Sequence, residues 1–334
     1  MHLHLVIPHA AWPDQAATVE LTRDLALPAL SQLLGRGRRS RHEPVSKERW
    51  LAQRFGLDTL PVAPLTLTTD LPGAPVGYWL RADPVHLRAN RDELLLTDAS
   101  LLDIGSDEAD ALAKTINTLI AEDGLTLWAP TPTRWYLQMP ADPQLATTPL
   151  SEVVGRNIDR WLPQGPDALR WHRLLNEIQM LLYTHPVNDA RFDTGKPQIN
   201  SLWLWGGGAT PLPVQPEAPA DTVYSNDALV QALVAAGKGR AEPVPDSGSA
   251  LSANGMVLLD ALAAAVRYGD AYAWREAWLQ LERDWFAPLL VNLQAGALTR
   301  LALSFPELGL AIEARQADRW RFWRRPCLPW SAGA

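Results

Sequence analysis

Short apolar runs alternate with helix-length stretches in both outer parts of this chain, and that alternation restricts its fold more than any other feature. Leu3-His4-Leu5-Val6-Ile7, closed by Pro8, reads as a buried strand. Leu25 to Leu34 has helical spacing and stops at Gly35 and Gly37; Val45 to Phe55 is a second helix with Gly56 just behind it. Late in the chain Ala228 to Ala236 and Met256 to Tyr268 read as helices, and Trp274, Trp278, Leu281, Trp285 and Leu289 form one apolar stripe. Leu301, Leu303 and Phe305 then alternate as a strand ending at Pro306. Strands separated by helices can pair side by side in one direction. The outer parts therefore predict an α/β fold whose mainly parallel sheet is covered on two faces.

The middle of the chain has a different texture. Residues 59–77 carry Pro61, Pro64, Pro72 and Pro75, a density that predicts a loop or hinge. Tyr78-Trp79-Leu80 and Glu93 to Leu96 look like strands flanking an Asp83-Pro84 turn. Ser106 can cap a helix with Asp107, Glu108 and Asp110 in its first turn, where the helix dipole favours acids, and that helix ends near Gly124. Leu125 to Trp128 and Arg134 to Met139 follow as strands, so the order β-β-α-β-β predicts a compact α+β unit. Leu169 to Tyr183 is an amphipathic helix stopped by His185-Pro186. Ser201 to Trp205 is a strand running into Gly206-Gly207-Gly208, read as a turn because it lacks the Lys-Ser/Thr of a phosphate loop.

Charge and cysteine content exclude several classes. A net charge of −7 gives no general attraction to nucleic acid or to an anionic membrane. Two exceptions are the runs Arg36, Arg38, Arg39, Arg41 and Arg319, Arg321, Arg324, Arg325, which read first as solvated faces, with anion binding as the alternative. The single cysteine, Cys327, precludes intramolecular disulfides and fits a reducing compartment. Met1 to Asp14 lacks the form of a signal peptide, and no stretch reaches the roughly 20 apolar residues that span a bilayer, so a cytoplasmic protein is expected.

His185-Pro186-Val187-Asn188, Arg191, Gly195-Lys196-Pro197, Asn200 and Trp203-Leu204-Trp205-Gly206 form a long, distinctive series. It resembles the sequence joining cap to core in archaeal-type, cofactor-independent phosphoglycerate mutases of the alkaline phosphatase superfamily. Leu27 to Gly37, Pro44 to Gly56, Tyr78 to Leu182, Asp221 to Gly248 and Leu281 to Phe305 resemble successive further parts of the same proteins. The chain is also similar to bacterial proteins termed RpfE-type regulatory proteins. The resemblance implies a three-layer alkaline-phosphatase-like core at 1–77 and 195–334, with an inserted α+β cap and junction at 78–194.

Enzymes of that superfamily pass a phosphoryl group through a serine or threonine held by two divalent metals, which need a nest of aspartates and histidines. The resemblance implies an Asp-Gly pair after the first strand, where this chain has Pro8-His9, and an Asp-His pair after the late strand, where it has Glu307-Leu308. All seven histidines (2, 4, 9, 42, 86, 172 and 185) precede Pro186, so the segment that should carry the core ligands has none. No metal or other cofactor is expected. Ser46, at the nucleophile's place, reads as a helix N-cap before Lys47-Glu48-Arg49. The expected function is that of a catalytically degenerate relative with a regulatory or binding role. The alternative is an active mutase or other phosphoryl-transfer enzyme, with Ser46 as nucleophile and a rearranged metal site drawing on Asp14, Asp70, Asp246 or Asp270 and on the early histidines.

Other constellations point to ligands. Arg81, Asp83 and His86, with Arg88 close by, can grip an anion or form a self-satisfied polar turn. His185, Asn188, Arg191, Lys196 and Asn200 lie at the expected cap–core junction, where they line a cleft for an anionic small molecule or hold two domains in register. The Trp- and Arg-rich segment Trp320 to Trp330 can serve as a docking surface for a protein partner.

Overall fold

The structure, a computed structural model, describes residues 1–90 and 93–331. Its strands in chain order are β1 (His2–Val6), β2 (Arg38–Arg41), β3 (Gly77–Asn90), β4 (Glu93–Thr97), β5 (Thr126–Trp128) and β6 (Tyr136–Met139). They continue with β7 (Ser201–Thr210), β8 (Thr222–Tyr224), β9 (Arg240–Glu242), β10 (Gly255–Leu258), β11 (Arg300–Phe305) and β12 (Leu310–Arg315). The chain divides into two compact units. One comprises Met1–Thr59 and the chain from Pro216 onward; the other is Leu60–Gln215.

In the first unit the described strands form one sheet in the order β2-β12-β11-β1-β10-β8-β9. From β11 to β9 the strands run parallel, while β12 and β2 extend one edge antiparallel. Side chains alternate across a strand. Leu3 and Leu5 of β1 join a core with Leu30, Leu33, Trp274, Trp278 and Leu289 from the helices on one face. His4, of opposite parity, meets Trp50 of helix Lys47–Arg54 edge-on, with ring centroids 5.8 Å apart. Helices thus lie on both faces of a mostly parallel sheet, the α/β arrangement predicted from the alternation of elements.

Two elements of this unit differ from the expectation. Met256 to Leu258 belongs to β10, all four residues of which are buried, and the helix begins only at Ala263. A short apolar run in a doubly covered sheet has no alternation to distinguish it from helix. Arg38–Arg41 is a strand, admitted despite its charges because it lies at the sheet's outer edge with every side chain in solvent. The tryptophan stripe is helical, but the chain widens into a π turn at Glu282–Phe286. Pro288 has no N–H to return to the carbonyl of Asp284, and Ser247 Oγ donates to that carbonyl instead at 2.8 Å.

The second unit is an antiparallel sheet in the order β4-β3-β6-β5, with β7 also paired along β3. Helices Ser106–Ile120 and Ala168–Tyr183 bury Leu112, Ile116, Trp171, Ile178 and Leu182 against Leu80, Ala82, Leu202 and Leu204. The helix N-cap is Gly105, whose N–H donates to Glu108 Oε2 at 2.8 Å, rather than Ser106. The 59–77 segment is not a loop: Val62–Asp70 is a helix, with Ala63 and Leu67 packed on Trp79 and Tyr136. Its Pro64 sits in the first turn, where a missing N–H breaks no helical bond.

Neither predicted turn is one. Asp83-Pro84 lies within β3, and Ala82 N–H donates to the carbonyl of Trp135. Pro84, of the same parity, turns its nitrogen toward that edge where β6 pairing has stopped at Arg81 and β4 pairing begins only at His86. Gly206-Gly207-Gly208 continues β7. A Cβ on Gly206 (φ 63°) would lie 2.6 Å from Val62 Cβ, and one on Gly208 would lie 2.7 Å from Pro61 Cβ. The glycines let the Val62–Asp70 helix rest on the sheet backbone. That helix and β7 fall within the 60–215 unit, whereas the sequence placed the inserted unit at 78–194.

Candidate functional site

Open parallel sheets present their functional groups beyond the carboxyl ends of the strands. In the first unit those ends stay in register past the strands themselves: Ile7 N–H donates to the Ser304 carbonyl and Leu259 N–H to the Val6 carbonyl, both at 2.9 Å. His9, Asp227, Asp260 and Glu307 therefore emerge as neighbours from β1, β8, β10 and β11. His9 has φ 58°, and its N–H donates to Glu307 Oε2 at 3.1 Å. Asp227 caps helix Ala228–Ala236, with Oδ1 accepting from Leu229 N–H at 2.8 Å.

Into this edge projects Lys47, the first residue of helix Lys47–Arg54. Its Nζ donates to Asp227 Oδ2 at 2.8 Å and to Asp260 Oδ2 at 3.3 Å, and the residue is 8% exposed. Burial opposes the ammonium charge, but Asp227, Asp260 and Glu48 outweigh it and hold Lys47 above the usual lysine range. Burial likewise pushes Asp227 up, but the Lys47 charge and the helix amides hold it below the usual carboxylate range. Glu307 responds differently. Burial, aided by Glu48, pushes its carboxyl up to about 7 against the amide donors of Glu307 and His9. Asp260 Oδ1 is buried and has no hydrogen-bond partner among the described residues.

A pair of divalent cations does not fit this donor set. Among the described residues no group of three or more His, Cys, Asp or Glu side chains converges in the manner of metal ligands. Asp227 and Asp260 converge on one cation, and that cation is the Lys47 ammonium, beside which a divalent ion would meet a buried like charge. Ser46 is the N-cap of the same helix, its Oγ accepting from Arg49 N–H at 3.4 Å.

The sequence-predicted anion- and ligand-binding residues lie in the 60–215 unit and form two groups. Arg81 donates through Nε and Nη2 to Asp83 Oδ1 at 3.0 and 2.6 Å, and Trp205 Nε1 donates to Asp83 Oδ2 at 2.7 Å. Both charges are buried; burial pushes Asp83 up while Arg81 and Trp205 pull it down. His86, three positions along β3 and so on its other face, does not join Asp83; its Nδ1 lies 2.8 Å from the Gln198 carbonyl. Asn200 exchanges two hydrogen bonds with the Leu87 backbone, prolonging the β3–β7 ladder through a side chain.

In the second group Asn188 donates to the Leu182 and Ile199 carbonyls and accepts from Ile199 N–H. Arg191, 1% exposed, donates to the carbonyls of Pro197, Leu102 and Asp103 and to Glu108 Oε2. His185 caps helix Pro186–Asp193 through Nδ1 and places Nε2 3.0 Å from Thr115 Oγ1. Lys196 pairs with Asp103 in solvent. The distinctive series thus knits helices and strands within its own unit. Sequence reasoning missed Lys47, Asp227 and Asp260. Asp227 was legible as a cap, but only the sheet order brings the three together.

No family model matches the chain. Over 146 residues it is 31% identical to the 2,3-bisphosphoglycerate-independent phosphoglycerate mutase of Methanosarcina mazei, a match covering 42% of this chain and 37% of that protein. Over 153 residues it is 29% identical to the probable 2,3-bisphosphoglycerate-independent phosphoglycerate mutase of Geobacter sulfurreducens, covering 45% of this chain and 38% of that one. The matches therefore span less than two-fifths of these relatives' own length. Among solved structures it is similar to the cofactor-independent phosphoglycerate mutase of Thermoplasma acidophilum (TM-score 0.50, 14% identity, covering 100% of this chain and 95% of that one). It is also similar to the PH0037 protein of Pyrococcus horikoshii (TM-score 0.52, 14% identity, covering 98% and 91%). The matched stretch is homologous to cofactor-independent phosphoglycerate mutases, and the fold is of their mixed α/β kind.

Proposed function

We propose that this chain is a phosphoglycerate-mutase-like protein that has given up metal-dependent phosphoryl transfer and serves a regulatory or binding role, in the manner of the RpfE-type proteins it resembles. The observation that carries this reading is the ammonium of Lys47 on Asp227 and Asp260, where carboxylates at the strand ends would otherwise be free to take a metal. A fixed internal cation neutralises those acids, but it has no open coordination position with which to polarise a phosphoryl oxygen or lower the pKa of a hydroxyl. Ser46, engaged as a helix cap, has no such activator in this arrangement, and a neutral hydroxyl is a weak nucleophile.

Metal analysis of the purified protein, together with a mutase assay in added manganese, tests this. The expected result is no stoichiometric metal and no interconversion of 3- and 2-phosphoglycerate. Two ions per chain, with mutase activity that Ser46→Ala abolishes, would establish the active-enzyme reading instead. A thermal shift with 3-phosphoglycerate alone, unchanged by metal, would mark the retained ligand as a phosphorylated hydroxy acid.

A further inference from the structure

We infer that β2 and the C-terminal segment beside it form a docking surface for an acidic, extended segment of a partner protein, which adds as a strand to the free edge of β2. This gives the binding role proposed above a partner class and does not depend on whether phosphoryl transfer has been lost. β2 is the outermost strand of its sheet; among the described strands it pairs only with β12, and its four residues are exposed. Half of its backbone donors and acceptors face outward, a template that only another polypeptide backbone can use.

Around this edge the fold gathers the two arginine runs from opposite ends of the sequence. Arg36 donates to the Arg319 carbonyl, Arg321 to the Arg36 carbonyl and Arg324 to the Gly37 carbonyl, at 3.2, 3.2 and 3.1 Å. Arg39 Nη1 lies 3.5 Å from Cys327 Sγ. Backbone carbonyls fix these guanidiniums without cancelling their charge. Asp318, 2.8 Å from Arg321, offsets one of them, and among the described residues Arg38 and Arg325 form no ion pair.

Next to Arg324 stand Trp320, Phe322 and Trp323, which are 64%, 75% and 69% exposed, with Phe322 and Trp323 edge-to-face at 5.5 Å. Arginines alone on an edge strand guard it against pairing; three bared aromatic rings beside them work against that purpose, and aromatic and arginine residues are the usual anchors of interfaces. A second copy of this chain would set arginine against arginine across paired edges, so the complementary strand is acidic. Side chains alternate along β2, so acids at successive positions meet Arg38 on one face and Arg39 on the other. Nucleic acid or an anionic membrane could use the charge and the rings but not the strand edge.

The test uses the full chain and a labelled decapeptide of repeating Glu-Glu-Val, which places acids on both faces of an added strand, followed by fluorescence anisotropy and amide hydrogen exchange. The expected result is saturable, salt-sensitive binding that slows exchange at residues 38–41, with a decapeptide of repeating Lys-Lys-Val inert. Arg38→Glu/Arg325→Glu and Phe322→Ser/Trp323→Ser should each weaken it roughly tenfold while leaving the circular dichroism unchanged, because all four side chains are exposed. No binding of the acidic peptide, or binding that neither variant weakens, overturns the proposal. So does binding of phosphatidylserine vesicles or oligothymidine that both variants abolish without protection at 38–41.

Discussion

The Nζ of Lys47 and the Oδ2 of Asp227, 180 positions apart in sequence, lie 2.8 Å from each other at the carboxyl edge of the parallel sheet. Removing one member of a buried pair leaves the other charge uncompensated, so Lys47→Met should lower stability by about 3 kcal/mol at neutral pH. Lys47 holds the Asp227 carboxyl below its ordinary value, so the stabilisation is present above the usual carboxylate range and lost as pH falls through the depressed folded value. Urea unfolding should therefore find the variant's deficit shrinking in strong acid. An undiminished deficit there would show that the pair contributes packing and not charge.

His4 and Glu307 titrate over overlapping ranges with opposite effect. Burial, with Arg54 and Arg300, brings His4 down to about 4; between that value and 6.5 the unfolded chain holds the extra proton, so stability rises with pH. Glu307 is pushed up to about 7; between 4.5 and that value the folded chain holds the extra proton, so stability falls with pH. In the wild type these two contributions oppose each other from pH 4.5 to 6.5. His4→Gln should lose, and Glu307→Gln should gain, about 2 kcal/mol across that interval in chemical denaturation.

Gly206 and Gly195 both have positive φ, yet they should respond differently to alanine. A Cβ at Gly195 meets nothing within 4 Å among the described residues, so the cost is conformational and about 1 kcal/mol. At Gly206 the new methyl also strikes Val62 Cβ, and the combined cost should reach about 3 kcal/mol. Thermal unfolding of the two variants side by side measures the difference, which is the cost of lifting the Val62–Asp70 helix off β7.

Arg191→Lys should also destabilise, by about 2 kcal/mol, because one ammonium cannot serve the three carbonyls and the carboxylate that the guanidinium fork reaches. Lys196→Ala, which removes an exposed pair with Asp103, should cost less than about 0.5 kcal/mol. Equal effects would contradict the buried role assigned to Arg191.

Alternating apolar residues made β11 legible, a short apolar run closed by Pro8 did the same for β1, and helical spacing marked the helices starting at Pro28, Lys47 and Ala228. The same logic failed at β10, where both faces are covered, and at residues 59–77, where proline density concealed the first turn of a helix. The distinctive His185-to-Gly206 series was visible as a motif, but its hydrogen-bond partners were not. Its polar groups hold carbonyls that the sequence does not show to be near, such as those of Leu102 and Leu182.

The chain itself determined that no histidine follows Pro186, and hence that the second half supplies no imidazole to a metal, since a ligand type absent from the sequence cannot be folded into place. Only the tertiary structure decided what meets the acids there. Strand order brings Asp227 and Asp260 to one edge, and the helix that Ser46 caps delivers Lys47 between them. Such a meeting depends on pairings across some 200 residues, which local patterning does not encode.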